Sequence, residues 1–266
     1  MSFHVVIPAR YASTRLPGKP LLEIAGRPMI QHVVERACAS AATQVLVATD
    51  DDRIAAAVTD PRAPGLGIAV MTDPGLPSGT DRVAAVAARR GWGDDAIVVN
   101  VQGDEPFLPP SLIDQVARLL ARDAAAGIAT LATPVESLER FMDPNVVKVV
   151  TSGDGAALYF SRSPIPWTRD GAPSGLGSQR EFGDALRHVG IYAYRVGVLR
   201  RITSLAPSRL ELREKLEQLR ALQAGVRIVV GTCIETPGPG VDTEQDLEHA
   251  RARASARGAD SGGGSQ

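Results

Sequence analysis

The sequence predicts an α/β fold, a mostly parallel, doubly wound sheet with helices on both faces. Two features of its first 125 residues carry that prediction. Short runs rich in β-branched residues alternate with segments whose apolar positions recur at helical spacing. One run, residues 96–101, is apolar almost without interruption, as in a strand covered on both faces. Alternation of this kind builds βαβ units, and ligands of such sheets bind beyond the carboxyl ends of the strands.

Taken in order, residues 3–7 form a first strand, followed by a loop rich in Pro, Gly and Arg. A helix starts near Pro28, because proline suits a first helical turn, with Ile30, Val33, Val34 and Ala37 on its inner face. Residues 44–48 form a second strand. The next helix begins after Asp50-Asp51-Asp52, where Asp51 and Asp52 favour the positive end of its dipole. A strand at 68–71, a helix opening at Ser78, the strand at 96–101 and a helix over 110–125 complete the regular part. After Ile128 the rhythm changes. Strands at 146–151, 156–160 and 188–194 lack regular helices between them, and the Gly- and Ser-rich stretch 171–183 reads as a flexible surface loop. This predicts a β-rich insertion over about 128–195, suited to substrate recognition or to contacts between two copies. A helix over 211–224, with Leu212, Leu216 and Leu219 as its buried stripe, a strand at 227–230 and a helix over 244–256 restore the α/β pattern. One domain is expected over 1–257, with a polar, Gly-rich and disordered tail over 258–266.

Bulk properties exclude several classes. A formal net charge of −1 over 266 residues, 22% of them charged, provides no whole-chain attraction to nucleic acid or membrane. No apolar run approaches the roughly 18 residues that span a bilayer, and the amino terminus lacks the pattern of a signal peptide, so a cytoplasmic enzyme is expected. Cys38 and Cys233 stand in apolar contexts far apart, as buried small hydrophobes of a reducing compartment would.

The chemistry concentrates after the strands. The first loop carries Arg10, Arg15 and Lys19 among Pro17, Gly18 and Pro20, a set of cations suited to a triphosphate. It matches neither the dinucleotide fingerprint nor the P-loop spacing, and each cation alone would also suit an exposed basic loop. Following the most apolar strand, Asn100-Val101-Gln102-Gly103-Asp104-Glu105-Pro106 offers Asp104 as a first ligand for Mg²⁺, which takes one or two carboxylates together with phosphate oxygens and water. Asp242, before the last helix, suits either a helix cap or the second carboxylate of that site. In Ser78-Gly79-Thr80-Asp81-Arg82, Ser78 or Thr80 can cap a helix, while Gly79 permits close approach to a planar base.

Together these segments resemble the CMP-Kdo synthetase family, the 3-deoxy-manno-octulosonate cytidylyltransferases. The likeness rests on IPARYASTRLPGKPL from Ile7, VATDD from Val47, SGTDR from Ser78, VNVQGDEP from Val99 and NVVKVV from Asn145. It continues through LYFSRSPIPW from Leu158, RHVGIYAYR from Arg187, LEQLR from Leu216 and GVDT from Gly240. The resemblance implies a Rossmann-like nucleotidyltransferase fold, a homodimer, and transfer of CMP from CTP to the acidic sugar Kdo with release of pyrophosphate. By the same resemblance Arg10, Arg15 and Lys19 meet the CTP phosphates, and Ser13 is a further nucleotide-binding residue. Ala9, Ser78, Gly79, Arg82 and Gln102 meet the nucleotide's other end, and Asp104 and Asp242 bind Mg²⁺. Lys19, Asp104 and Asp242 form the catalytic set, while Arg162, His188, Tyr192, Glu214 and Gln218 line the sugar side. Beside it, Glu214 and Gln218 stand four apart on the expected helix, hence on one face, where they can bond sugar hydroxyls. Arg162 presents a fork suited to the sugar carboxylate, and His188 suits either the sugar or a core position. The one departure is the basic segment 209–213. Competing readings are a cytidylyltransferase for 8-amino-Kdo or a nonulosonate, and a non-catalytic nucleotide-binding regulator.

Overall fold

The structure, a computed structural model, describes residues 1–12, 16–58, 68–172 and 174–261. Ser13 and Arg15 of the first loop, and 262–266 of the expected tail, lie outside the described residues. The strands are β1 (His4–Ala9), β2 (Glu23–Ile24), β3 (Arg27–Pro28), β4 (Gln44–Thr49), β5 (Ile68–Met71), β6 (Ile97–Asn100), β7 (Ile128–Pro134), β8 (Lys148–Thr151), β9 (Ala157–Ser161), β10 (Leu186–Arg195) and β11 (Ile228–Thr232). The helices are α1 (Met29–Cys38), α2 (Asp52–Val58), α3 (Gly79–Arg89), α4 (Pro110–Arg122), α5 (Leu138–Met142), α6 (Val196–Thr203), α7 (Arg209–Glu214), α8 (Gln218–Gln223) and α9 (Glu244–Ser261).

The central sheet has the order β11-β7-β10-β6-β1-β4-β5. Strands β6, β1, β4 and β5 run parallel, as do β7 and β11, while β10 runs antiparallel between β6 and β7. Because strand side chains alternate between faces, the sheet feeds two cores. Val5, Ile7 and Val99 pack with α1 and α4 through Ile30, Val33, Leu112 and Val116. Val6, Val98, Tyr192 and Tyr194 pack on the opposite face with α3, α6 and α8 through Val83, Leu199 and Leu219. Helices thus cover both faces, as the sequence predicts.

Four expectations require correction. The β-rich stretch 128–195 is not set apart from the sheet. β7 and β10 are central strands, with Ile128–Pro134 buried over its first six residues. Between them the β8–β9 hairpin branches from the end of β10 and remains hydrogen-bonded to the same sheet. The single helix expected over 211–224 is two helices. α7 ends at Lys215, whose φ of 55° and ψ of 47° are left-handed, and α8 begins at Gln218. Glu214 and Gln218 therefore do not share a helix face, and Leu212 is 53% exposed while Leu216 and Leu219 are buried. Cys38, at the end of α1, is exposed, and Cys233 is half-buried, because both sit at element ends rather than in the sheet. Finally, α9 continues to Ser261, past the boundary expected at 256.

Candidate active site

Three loops meet at the carboxyl ends of β1 and β6, and glycine lets them meet. A Cβ on Gly103 would stand 2.9 Å from the Pro8 carbonyl oxygen, and one on Gly238 would stand 2.8 Å from that of Phe107. Only a residue without a side chain allows backbone to approach so closely. The Val241 N–H then donates to the Asp104 carbonyl at 2.9 Å, pinning the segment before α9 onto the loop after β6.

This stacking brings Asp104 and Asp242 to one point. Lys19 Nζ donates to Asp104 Oδ2 at 2.7 Å and to Asp242 Oδ1 at 3.0 Å. Burial works against the lysine's charge, but the two carboxylates outweigh it and hold its pKa above the ordinary value. Glu105 lies behind them. Burial, reinforced by the charges of Asp104 and Asp242 and opposed by Arg187 and Lys19, pushes its carboxyl up to about 8.

Two carboxylates converging on one ammonium form an all-oxygen donor set around a position that already accommodates positive charge. That chemistry fits Mg²⁺, which needs only one or two protein carboxylates when a substrate supplies phosphate oxygens. Among the described residues no group of three or more His, Cys, Asp and Glu side chains could hold a metal. Pro8, Ala9, Arg10, Lys19, Asp104 and Asp242 line an open cavity of about 320 Å³ here.

A second cavity, of about 230 Å³, adjoins the first, and Gly79 and Gln102 line both. Its floor is the end of the second core, with Ile128, Tyr192, Tyr194 and Ile202, and its lip is the α7–α8 turn, from Lys215 to Gln218. Thr80 Oγ1 donates to Glu217 Oε2 at 2.7 Å, tying the start of α3 to that lip.

Of the predicted nucleotide residues, Ala9, Arg10, Lys19, Gly79 and Gln102 line the cavities. Ser78 is the N-cap of α3, its hydroxyl accepting from the Asp81 N–H and donating to Asp81 Oδ2. Arg82 is wholly buried and lines neither cavity. Its Nη2 donates to Asp50 Oδ2 and its Nη1 to Thr72 Oγ1, both at 2.5 Å.

On the sugar side the structure brings Tyr192 and Gln218 to the cavity wall but not Arg162, His188 or Glu214. The Glu214 carboxylate accepts from Ser161 Oγ at 2.6 Å, from the Arg162 N–H at 3.0 Å and from Tyr159 Oη at 3.5 Å. Arg162 Nε donates to the Glu214 carbonyl at 2.7 Å. His188 stands behind Tyr192, ring centroids 5.2 Å apart, with Nε2 2.9 Å from Thr130 Oγ1. Burial, with the charge of Arg187 adding to it, pushes its pKa down to about 3. Sequence reasoning missed Asn100, Thr80, Tyr194, Lys215 and Glu217 on this wall. Only Asn100, a polar residue ending an apolar strand, left a readable signal.

Residues 4–228 match the family model described as cytidylyltransferase. A 3-deoxy-manno-octulosonate cytidylyltransferase of Thioalkalivibrio sulfidiphilus is 53% identical over 249 residues, covering 93% of this chain and 97% of its own. The protein of the same description from Alkalilimnicola ehrlichii is 56% identical over 245 residues, 92% and 93% of the two chains. A solved CMP:2-keto-3-deoxy-manno-octonic acid synthetase complexed with CTP superposes with a TM-score of 0.84 at 43% identity, over 97% of this chain and 100% of the other. A nucleotidyl transferase from Methanothermobacter thermautotroptrophicus shares the fold, with a TM-score of 0.59 at 15% identity over 96% of this chain and 98% of the other. The chain belongs to the 3-deoxy-manno-octulosonate cytidylyltransferase family.

Proposed function

We propose that the protein transfers CMP from CTP to the anomeric hydroxyl of Kdo, releasing pyrophosphate and supplying CMP-Kdo for lipopolysaccharide. One observation carries the reading: two cavities of contrasting chemistry share a wall at Gly79 and Gln102. The first presents Arg10, Lys19 and two carboxylates, and the second presents aromatic rings, amides and the charged lip of the α7–α8 turn. A nucleotide triphosphate in the first and a polyhydroxylated acid in the second would place nucleophile and α-phosphorus side by side.

The chain's own part is positioning and electrostatics, which dominate phosphoryl-transfer catalysis. Arg10 and Lys19 offset charge developing on the leaving pyrophosphate. Gln102 and Gly79, on the shared wall, orient the nucleotide against the sugar. Tyr192 and Gln218 face the sugar, and Arg162, His188 and Glu214 hold that wall from behind. Asp104 and Asp242 would hold Mg²⁺, which supplies Lewis-acid polarisation of phosphate oxygens and lowers the pKa of the attacking hydroxyl. Arg82, buried between Asp50 and Thr72, acts by fixing the start of α3 rather than by touching the base.

The protein works in the cytoplasm as a homodimer. Support for the dimer is exposed apolar surface on and after the β8–β9 hairpin, where Leu158 is 62% and Trp167 40% accessible. Among the described residues no helix is long and apolar enough to cross a membrane.

The test is pyrophosphate release from CTP by purified protein with Kdo, 8-amino-Kdo and a nonulosonate, with Mg²⁺ and with chelator. Release with Kdo, abolished by chelator, is expected. Preference for another acid would move the specificity. CTP binding without release for any acid would leave a nucleotide-binding regulator instead.

A further inference from the structure

Asn100 is the last residue of β6, an apolar strand buried along its whole length. It pairs with Tyr192 across the antiparallel ladder and with Val6 across the parallel one. Strand alternation puts it on the face of Val98, two residues earlier, where the second core packs. Every consideration of burial therefore favours Val or Leu here. Asn100 is 1% exposed, and its Oδ1 has no hydrogen-bond partner. Buried polar groups are almost always paired, and leaving one unpaired costs folding free energy. The other buried orphan among the described residues, Arg82 Nε, belongs to a guanidinium with two paired nitrogens and lines no cavity. Asn100 lines the second cavity, beside Tyr192 and Gln102 and next to the shared wall. A residue that weakens the fold at the edge of a cavity is what ligand recognition leaves behind.

We propose that Asn100 is a specificity residue for the acidic sugar, its side-chain amide bonding a hydroxyl that enters the second cavity. The assignment rests on the function proposed above and adds a residue to it. The amide is planar and turns about χ2, so it can offer either oxygen or nitrogen to the cavity. An acid lacking that hydroxyl leaves the amide orphaned and is selected against, as sites built to bond a hydroxyl reject its absence.

The test is Asn100→Leu, which fills similar volume, with Asn100→Ala as a second variant should the larger side chain disturb packing. For Asn100→Leu, kcat/KM for the sugar should fall about 10- to 100-fold, KM for CTP should stay within about twofold, and the thermal midpoint should hold or rise. Monodeoxy sugars then identify the partner: one of them should lose as much with wild type as Kdo loses with the variant, and the two losses should not add. A lower midpoint with an unchanged sugar KM would overturn the proposal in favour of a structural amide. An equal change in both KM values would overturn it in favour of a general distortion. A wild-type protein releasing no pyrophosphate with any acid would fail the functional reading first, and this assignment with it.

Discussion

Asp50→Ala strands a buried guanidinium. Arg82 is wholly inaccessible and Asp50, 17% exposed through its side chain, is its paired carboxylate at 2.5 Å. Solvent cannot reach Arg82 to compensate, and Thr72 Oγ1 alone remains to it. Removing one partner of such a pair costs about 3–5 kcal/mol. Unfolding entropy of about 2.1 cal/mol/K per residue gives about 0.56 kcal/mol/K for this chain. The midpoint should therefore fall by about 5–9 °C in calorimetry or circular dichroism. The double variant Asp50→Ala/Arg82→Leu should recover much of that loss, because replacing both charges removes the orphan as well as the pair. A fall below about 2 °C for Asp50→Ala would refute the reasoning. So would an unchanged midpoint with a raised KM for CTP, which would return Arg82 to the nucleotide.

Three further outcomes are expected. Lys148 is buried and its ammonium donates to the carbonyls of Asp143, Val146 and Arg162, so Lys148→Met should lower the midpoint by about 3–9 °C, read calorimetrically, and raise the sugar KM more than the CTP KM. Gly238→Ala drives a methyl towards the Phe107 carbonyl, which must push Asp242 away from Asp104; kcat should fall about 100-fold in steady-state assays, and an unaffected kcat would show that the loops yield freely. His188 binds its proton far more weakly folded than unfolded, its pKa falling from 6.5 to about 3. The unfolded chain therefore gains a proton first as pH drops. The stability this group contributes above pH 6.5 is lost at up to about 1.4 kcal/mol per pH unit below it. Denaturant titrations of wild type and His188→Gln between pH 7 and 5 should show a shallower decline in the variant.

Much of the architecture was legible because parallel strands buried on both faces leave apolar runs that few other structures produce, and β1, β4 and β6 did so. The direction of β10 was not legible: its apolar pattern is the same whichever way it runs, and only its pairing with β6 and β7 decides. The break at Lys215 was invisible for another reason. Leu212, Leu216 and Leu219 keep helical spacing across it, and neither Gly nor Pro marks a left-handed residue there. Asp104 stood out by its place after an apolar strand, whereas Asp242 by itself reads first as a helix cap, and only Asp104's need for a second carboxylate, reinforced by the family resemblance, pairs the two. Arg82 shows the converse limit: a guanidinium within a recognised motif reads as a ligand contact, and only its burial reveals the ion pair.

The stacked loops of the site also join distant parts of the chain. Lys19 and Asp242 are 223 residues apart, yet they touch. In the function proposed above, a nucleotide held by both would act as a noncovalent clasp between these distant parts of the chain, opposing the entropy they gain on separating. Saturating CTP with Mg²⁺ should therefore raise resistance to heat and to proteases well beyond the residues it touches.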